Sequence, residues 1–205
     1  MQNKSVCILD YGSGNVGSVL NMLQFLKYKC FVSNDPENIK KSSHIILPGV
    51  GSYGASMEKI KKSIPLDILE NEVFKRKKPF LGICVGMQVL SEKGYEYGEH
   101  QGLGWIKGEV NKLETNNLPL PHIGWQEIQI IKSSPIFLNI KNSIDFYFLH
   151  SFVLKVKDEN LIISKSNYDE NFCSAIQSKN VFGVQFHPEK SQKAGMQLLN
   201  NFLNI

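Results

Sequence analysis

Gly82-Ile83-Cys84-Val85-Gly86 places a cysteine between two glycines where an apolar run, residues 79–83, gives way to a helix-like stretch. A G-x-C-x-G turn of this kind is the thiol counterpart of the G-x-S-x-G elbow. There a tight strand-to-helix turn strains the nucleophile and lifts it above a sheet. The glycines are required because neighbouring backbones approach closely at such a turn. A helix N-terminus beside the thiol favours its ionised form, and the N–H of Val85 is placed to hold a developing oxyanion. Cys7, Cys30 and Cys173 have no such context and read as small buried hydrophobes.

A thiol nucleophile needs a base. Of the five histidines, His187 directly follows an apolar run, in Gln185-Phe186-His187-Pro188-Glu189. A carboxylate two residues on, with a proline restricting the backbone between, can fold back on the imidazole and fix its tautomer. His44 reads as structural and His100 as solvated, and neither His122 nor His150 has an acid two residues on. A metal reading of His187 and Glu189 lacks further ligands at suitable spacing, and a structural role for His187 stays open.

The elements that must position these residues alternate in the first half. Residues 6–10 read as a buried strand, 16–26 as an amphipathic helix, and Phe31-Val32 as a short strand. Asp35-Pro36 opens a helix, 44–47 is a strand stopping at Pro48-Gly49, and a helical region broken at Pro65 follows. A helix from Cys84 to about Lys93 completes this half. The alternation predicts βαβ units and a parallel sheet covered on both faces, with Cys84 and His187 emerging beyond the carboxyl ends of strands.

The second half reads as strands at short spacing: 105–113, 126–131, 146–156, 161–166, 173–176 and 181–186, closed by a helix over 195–202. The expected fold is therefore α/β: a mostly parallel central sheet flanked by helices, with additional antiparallel strands. No linker, repeat or low-complexity tract divides the chain, so residues 1–205 are expected to form a single domain.

Composition limits the function classes. The hydrophobic fraction is 42%, and 23 Lys and Arg against 19 Asp and Glu leave a net charge of +4. That excess sits in short lysine clusters, which fits solvated helix faces rather than a nucleic-acid-binding stripe. The four cysteines form no C-x-x-C pair, so zinc, redox and disulfide frameworks are not expected. No signal peptide or bilayer-length apolar run is visible, which predicts a reduced, cytoplasmic protein with no membrane partner.

Six segments carry a resemblance over essentially the whole chain: Asp10-Tyr11-Gly12-Ser13-Gly14-Asn15, Pro48-Gly49-Val50-Gly51, residues 82–88, His122-Ile123-Gly124-Trp125, residues 147–152 and Phe186-His187-Pro188-Glu189-Lys190-Ser191. The chain resembles the class I glutamine amidotransferases and, within them, looks like the glutaminase subunits of imidazole glycerol phosphate synthase. The resemblance implies a Cys84-His187-Glu189 triad and an oxyanion hole from the amides of Val50 and Val85. Gly49 and Gly51 would flank a Val50 peptide that turns over. It also implies an L-glutamine site at Gln88, Ser151 and Phe152, needing no cofactor and no metal. Asn15, Trp125 and Lys190 are implied to lie near a (β/α)8-barrel cyclase subunit in a heterodimer.

One position departs from that pattern: Gln126 stands where the family has Asn, on a motif the resemblance puts at the partner side. Two rival readings stay open. One is a paralogous glutaminase feeding another synthase, such as a surface-sugar amidotransferase. The other is a non-catalytic α/β module with a regulatory or redox-sensing cysteine.

Overall fold

Five short apolar segments rich in Val, Ile, Leu and Phe pair side by side in the computed structural model, which describes residues 4–205. They are strands β1 (Ser5–Ile8), β2 (Lys29–Val32), β3 (His44–Gly49), β4 (Phe80–Cys84) and, from the far end of the chain, Val181–Val184. Between Cys84 and that last strand come β5 (Lys93–Gly94), β6 (His100–Gln101), β7 (Gly108–Lys112), β8 (His122–Ile130), β9 (Ile144–His150), β10 (Phe152–Val156), β11 (Ile162–Tyr168) and β12 (Glu170–Ser178); Val181–Val184 is β13. The helices are α1 (Val16–Phe25), α2 (Pro36–Lys41), α3 (Tyr53–Ser63), α4 (Leu66–Glu70), α5 (Val85–Gln88) and α6 (Gln192–Leu203).

One sheet runs β2-β1-β3-β4-β13-β12-β11-β8-β9, and a smaller one runs β10-β7-β5-β6. Pairing is parallel from β2 to β13 and antiparallel from there to β9. The central strands β3, β4 and β13 are buried along their whole length. Burial on both faces is what continuous apolar runs such as His-Ile-Ile-Leu and Val-Phe-Gly-Val predict. The α/β expectation therefore holds, antiparallel extension included. Asp35 caps α2 as Asp35-Pro36 suggested, its carboxylate accepting from the N–H groups of Glu37 and Asn38.

Several boundaries differ from the sequence reading. The helix after Cys84 was expected to reach about Lys93 but ends at Gln88. The carbonyls of Val89, Leu90 and Ser91 are taken by the N–H groups of Leu103, Ile106 and Gly104, so no helical N–H four residues on can claim them. Residues 44–47 continue as strand through Pro48-Gly49, because Gly49 still pairs with Cys84 on β4. Residues 146–156 are two strands, β9 and β10, belonging to different sheets. The break falls at Ser151, whose carbonyl accepts from Leu113 N–H as the chain crosses to the smaller sheet. The strand expected at 126–131 begins at His122, and the one expected over 105–113 is confined to Gly108–Lys112.

Candidate active site

Strand β4 ends at Cys84, and α5 begins at the next residue. Cys84 has φ +54° and ψ −113°, a region that non-glycine residues rarely occupy. Closely packed elbow neighbours over-determine this conformation. A side chain at Gly86 would run into the Leu47 carbonyl, and one at Gly82 into that of Gly86. The expected strained elbow is therefore present. Its helix is a single turn, however, so its dipole gives little to the sulfur. Cys84 Sγ instead touches two polar groups: it lies 3.7 Å from the Leu149 carbonyl and 3.6 Å from Gln185 Nε2.

His187 leaves the carboxyl end of β13, next to β4, which brings it alongside Cys84. Its loop is fixed to β9: His187 N–H donates to the Tyr147 carbonyl at 2.8 Å, and Ser191 Oγ bridges His187 O and Tyr147 N–H. The imidazole Nδ1 lies 2.8 Å from Glu189 Oε1, inside the protein. Nε2 is buried without a hydrogen-bond partner, on a residue 1% exposed. Burial pulls the imidazolium pKa down, but the neighbouring Cys84 sulfur and the Glu189 carboxylate outweigh it and raise the pKa to about 10. The resting site is thus built to carry a proton on His187 at neutral pH.

Asn15, expected near a partner, directs its side chain inward: Nδ2 donates to Glu189 Oε1 at 3.0 Å. As the N-cap of α1 it makes no capping bond with that side chain. One carboxylate oxygen thus receives both His187 and Asn15.

A cleft of about 380 Å³ opens at the elbow. Val50, Gly51, Cys84, Val85, Gln88, Ser151 and Phe152 all line it. Gly49 lies behind the wall. A side chain there would strike Gly86 N and the Tyr11 hydroxyl, so it is glycine for close approach rather than for turning. Of the two glycines expected to ease a turnover of Val50, only Gly51 sits at positive φ, +98°. Gln88 Nε2 donates to the Phe152 carbonyl at 2.8 Å and to Gln185 Oε1 at 3.0 Å.

Two polar side chains here, Glu96 and Gln185, escaped the sequence reading. Glu96 lines the cleft and accepts from Tyr53 N–H at 2.8 Å, and burial raises its carboxyl pKa. It sits in the turn between β5 and β6, two two-residue strands too short to leave a pattern. Gln185 is fully buried between Cys84 and Gln88, and its one signal was an amide directly after the apolar run 181–184. His150 lines the cleft and meets His122, Nε2 to Nδ1, at 3.2 Å.

Trp125 is 46% exposed and Ile123 58%, on the outward face of β8. Gln126, one residue on, is half-buried and points to the opposite face of the strand. The departure at 126 therefore does not share Trp125's surface, contrary to expectation. Lys190 Nζ stands 5.4 Å from the centre of the Tyr147 ring, which packs edge-on against Trp125.

All four cysteines are free, and burial pushes the Cys7 and Cys173 thiols up to about 12, as inert core groups. Among the described residues, no cluster of three His, Cys, Asp or Glu side chains is arranged to hold a metal, and no helix is long and apolar enough to cross a membrane.

Residues 7–205 match the family model described as glutamine amidotransferase class-I. The imidazole glycerol phosphate synthase subunit HisH 1 of Campylobacter jejuni (strain RM1221) is 42% identical, covering 98% of this chain and 100% of its own. The HisH subunits of Pelagibacter ubique and Aquifex aeolicus are 41% and 42% identical, covering 98% and 95% of this chain and 100% and 94% of theirs. Among solved structures, PurLQS from Thermotoga maritima aligns with a TM-score of 0.76 at 19% identity, covering 98% of each chain. A putative GMP synthase subunit from Thermoplasma acidophilum aligns at 0.72 and 18%, covering 98% of this chain and 92% of its own; both are likenesses of fold.

Proposed function

Because the chain belongs to the class I glutamine amidotransferase family, we propose that it hydrolyses L-glutamine at Cys84 and passes the ammonia to a cyclase subunit that makes imidazole glycerol phosphate in histidine biosynthesis. The observation that carries this reading is the strained Cys84 elbow facing a buried, protonatable His187 held by Glu189 at 2.8 Å. On this reading residues 1–205 act as one cytoplasmic amidotransferase domain, paired with a (β/α)8-barrel partner.

The Cys84 thiolate attacks the side-chain carboxamide carbon, forming a C–S bond and a tetrahedral oxyanion. The amides of Val85 and of Val50, once the latter peptide turns over, receive the oxyanion. His187 gives its proton to the amide nitrogen, the C–N bond breaks, and ammonia leaves with a γ-glutamyl thioester behind. Water, deprotonated by the same imidazole, attacks the thioester; glutamate departs and the thiolate–imidazolium pair is restored. Glu189 keeps Nε2 directed at the reacting groups throughout.

The other end of the substrate is read by charge. Both Gln88 Nε2 hydrogens are spent on protein acceptors. What Gln88 offers a ligand is therefore Oε1, an acceptor suited to the α-ammonium. Glu96 adds a carboxylate on the same cleft, which Ser151 and Phe152 also line. The partner surface is assigned to Trp125, Ile123 and Lys190, with Asn15 reaching from beside it to Glu189.

The test is glutamate release by the chain together with a histidine-pathway cyclase and its acceptor ligand, compared with Cys84→Ser. Loss of activity in the variant is expected, and an unchanged rate would sink the thiol mechanism. A cyclase that leaves the wild-type rate unstimulated would assign the ammonia to another synthase.

A further inference from the structure

A single backbone carbonyl fixes the orientation of two buried side-chain amides and, through them, what the nucleophile meets. The Phe152 carbonyl can only accept, so the Gln88 atom 2.8 Å from it must be nitrogen. The same Gln88 nitrogen lies 3.0 Å from the Gln185 amide, so Gln185 must present oxygen there. Its nitrogen is then forced toward Cys84, where Nε2 stands 3.6 Å from Sγ. No rotation of either amide satisfies the chain in the other sense. Gln185 is fully buried, and its backbone N–H is held by the Ser174 carbonyl at 2.8 Å in the sheet.

We propose that Gln185 is a further functional residue of the glutaminase site, donating an N–H to the Cys84 thiolate while its carbonyl oxygen positions Gln88 for the substrate. The inference rests on Cys84 being the nucleophile. An N–H aimed at sulfur is worth more to a thiolate than to a thiol, because the bond to an anion is charge-assisted. It acts from the opposite end of the amide to the substrate side. One side chain therefore joins the reacting atom to the residue that reads the α-ammonium, over the path Cys84 Sγ, Gln185, Gln88 and Phe152 O.

Two variants separate the two ends of the amide. Gln185→Met keeps length and apolar bulk but loses both bonds. Gln185→Glu is isosteric, keeps the acceptor for Gln88, and replaces the donor by a negative charge once ionised. Alkylation of Cys84 by iodoacetamide is followed across pH by peptide mass spectrometry, so that reaction at half-exposed Cys30 is counted separately. Gln185→Met is expected to move the midpoint of that alkylation profile up by about one pH unit relative to the unsubstituted protein.

In steady-state assays with partner, Gln185→Glu is expected to lower kcat by more than about tenfold with KM within about twofold of wild type, whereas Gln185→Met raises KM as well. A merely structural role predicts an unmoved alkylation midpoint and parallel losses in both variants. That result, with Cys84→Ser inactive, overturns the role of Gln185. Retained activity in Cys84→Ser would instead overturn the nucleophile on which it rests. If Gln185→Met fails to fold, as read by circular dichroism, the isosteric variant decides alone.

Discussion

Two neighbouring sites of buried histidine in this molecule differ in charge: one carries a proton at neutral pH and the other is neutral. At the end of β13, His187 is raised to about 10, despite burial, by the Cys84 sulfur and the Glu189 carboxylate. Across β8 and β9, His122 and His150 are lowered by burial to about 4 and about 3. That pair hydrogen-bonds to itself at 3.2 Å and to the Phe152 carbonyl at 3.1 Å, and His122 stacks on Tyr168 and Phe148. Desolvation alone makes a neutral structural histidine; only an anion on each side makes a proton carrier. The difference lies in partners rather than in depth.

Removing each imidazole in turn separates the two sites most strongly. His187→Ala is expected to lower glutamate release by about a thousandfold or more. His150→Phe is expected to cost less than about tenfold, since it leaves no proton-transfer group missing. Equal losses in the two variants would erase the distinction. Glu189→Gln is expected to cost about a hundredfold or more in kcat. It should also lower the His187 midpoint in an NMR titration, and Cys84→Ser should lower it too, because burial then prevails. A midpoint still near 10 in both variants would show that neither anion sets it.

The two sites also carry opposite signs of pH-dependent stability. His187 has a folded pKa above its unfolded value, so its contribution to stability is present below about 6.5 and is lost as pH rises toward about 10. His122 and His150 have depressed folded values, so theirs is present above about 6.5 and is lost as pH falls toward about 4 and about 3 respectively. Denaturant unfolding as a function of pH should show an acid-side loss that His122→Phe reduces by about 3 kcal/mol. A Glu189→Gln background should leave that acid limb in place and change the alkaline one.

The smallest expected effect belongs to Asn15. Asn15→Leu removes one donor from Glu189, a bond worth about 1 kcal/mol, so kcat should fall about fivefold without any change in partner affinity. Weaker partner binding at unchanged kcat would instead return Asn15 to the interface role that the family resemblance implied.

Much of the site was legible because local rules produce it. The strained elbow follows from Gly82 and Gly86, and the His187–Glu189 contact follows from their two-residue spacing around Pro188. The alternation of apolar runs and amphipathic helices marked the parallel half of the sheet. The misread boundaries share one physical cause. The α5 helix stops, and residues 146–156 divide at Ser151, because distant segments claim backbone groups there. Neither propensity nor periodicity reports such claims.

By itself the sequence determined which residues could do chemistry and what that chemistry would be, since a nucleophile elbow and a histidine-acid pair are short-range patterns. Tertiary structure alone decided how those groups are tuned. Strand order puts β13 beside β4, so Cys84 and His187 meet across about a hundred residues of chain. It also brings Asn15 to Glu189, Glu96 to the cleft and Gln185 between Cys84 and Gln88. Each of these is a single polar side chain without periodicity. Its meaning is set by what lies within about 4 Å in space, where charge and hydrogen bonding act, and not by its neighbours along the chain.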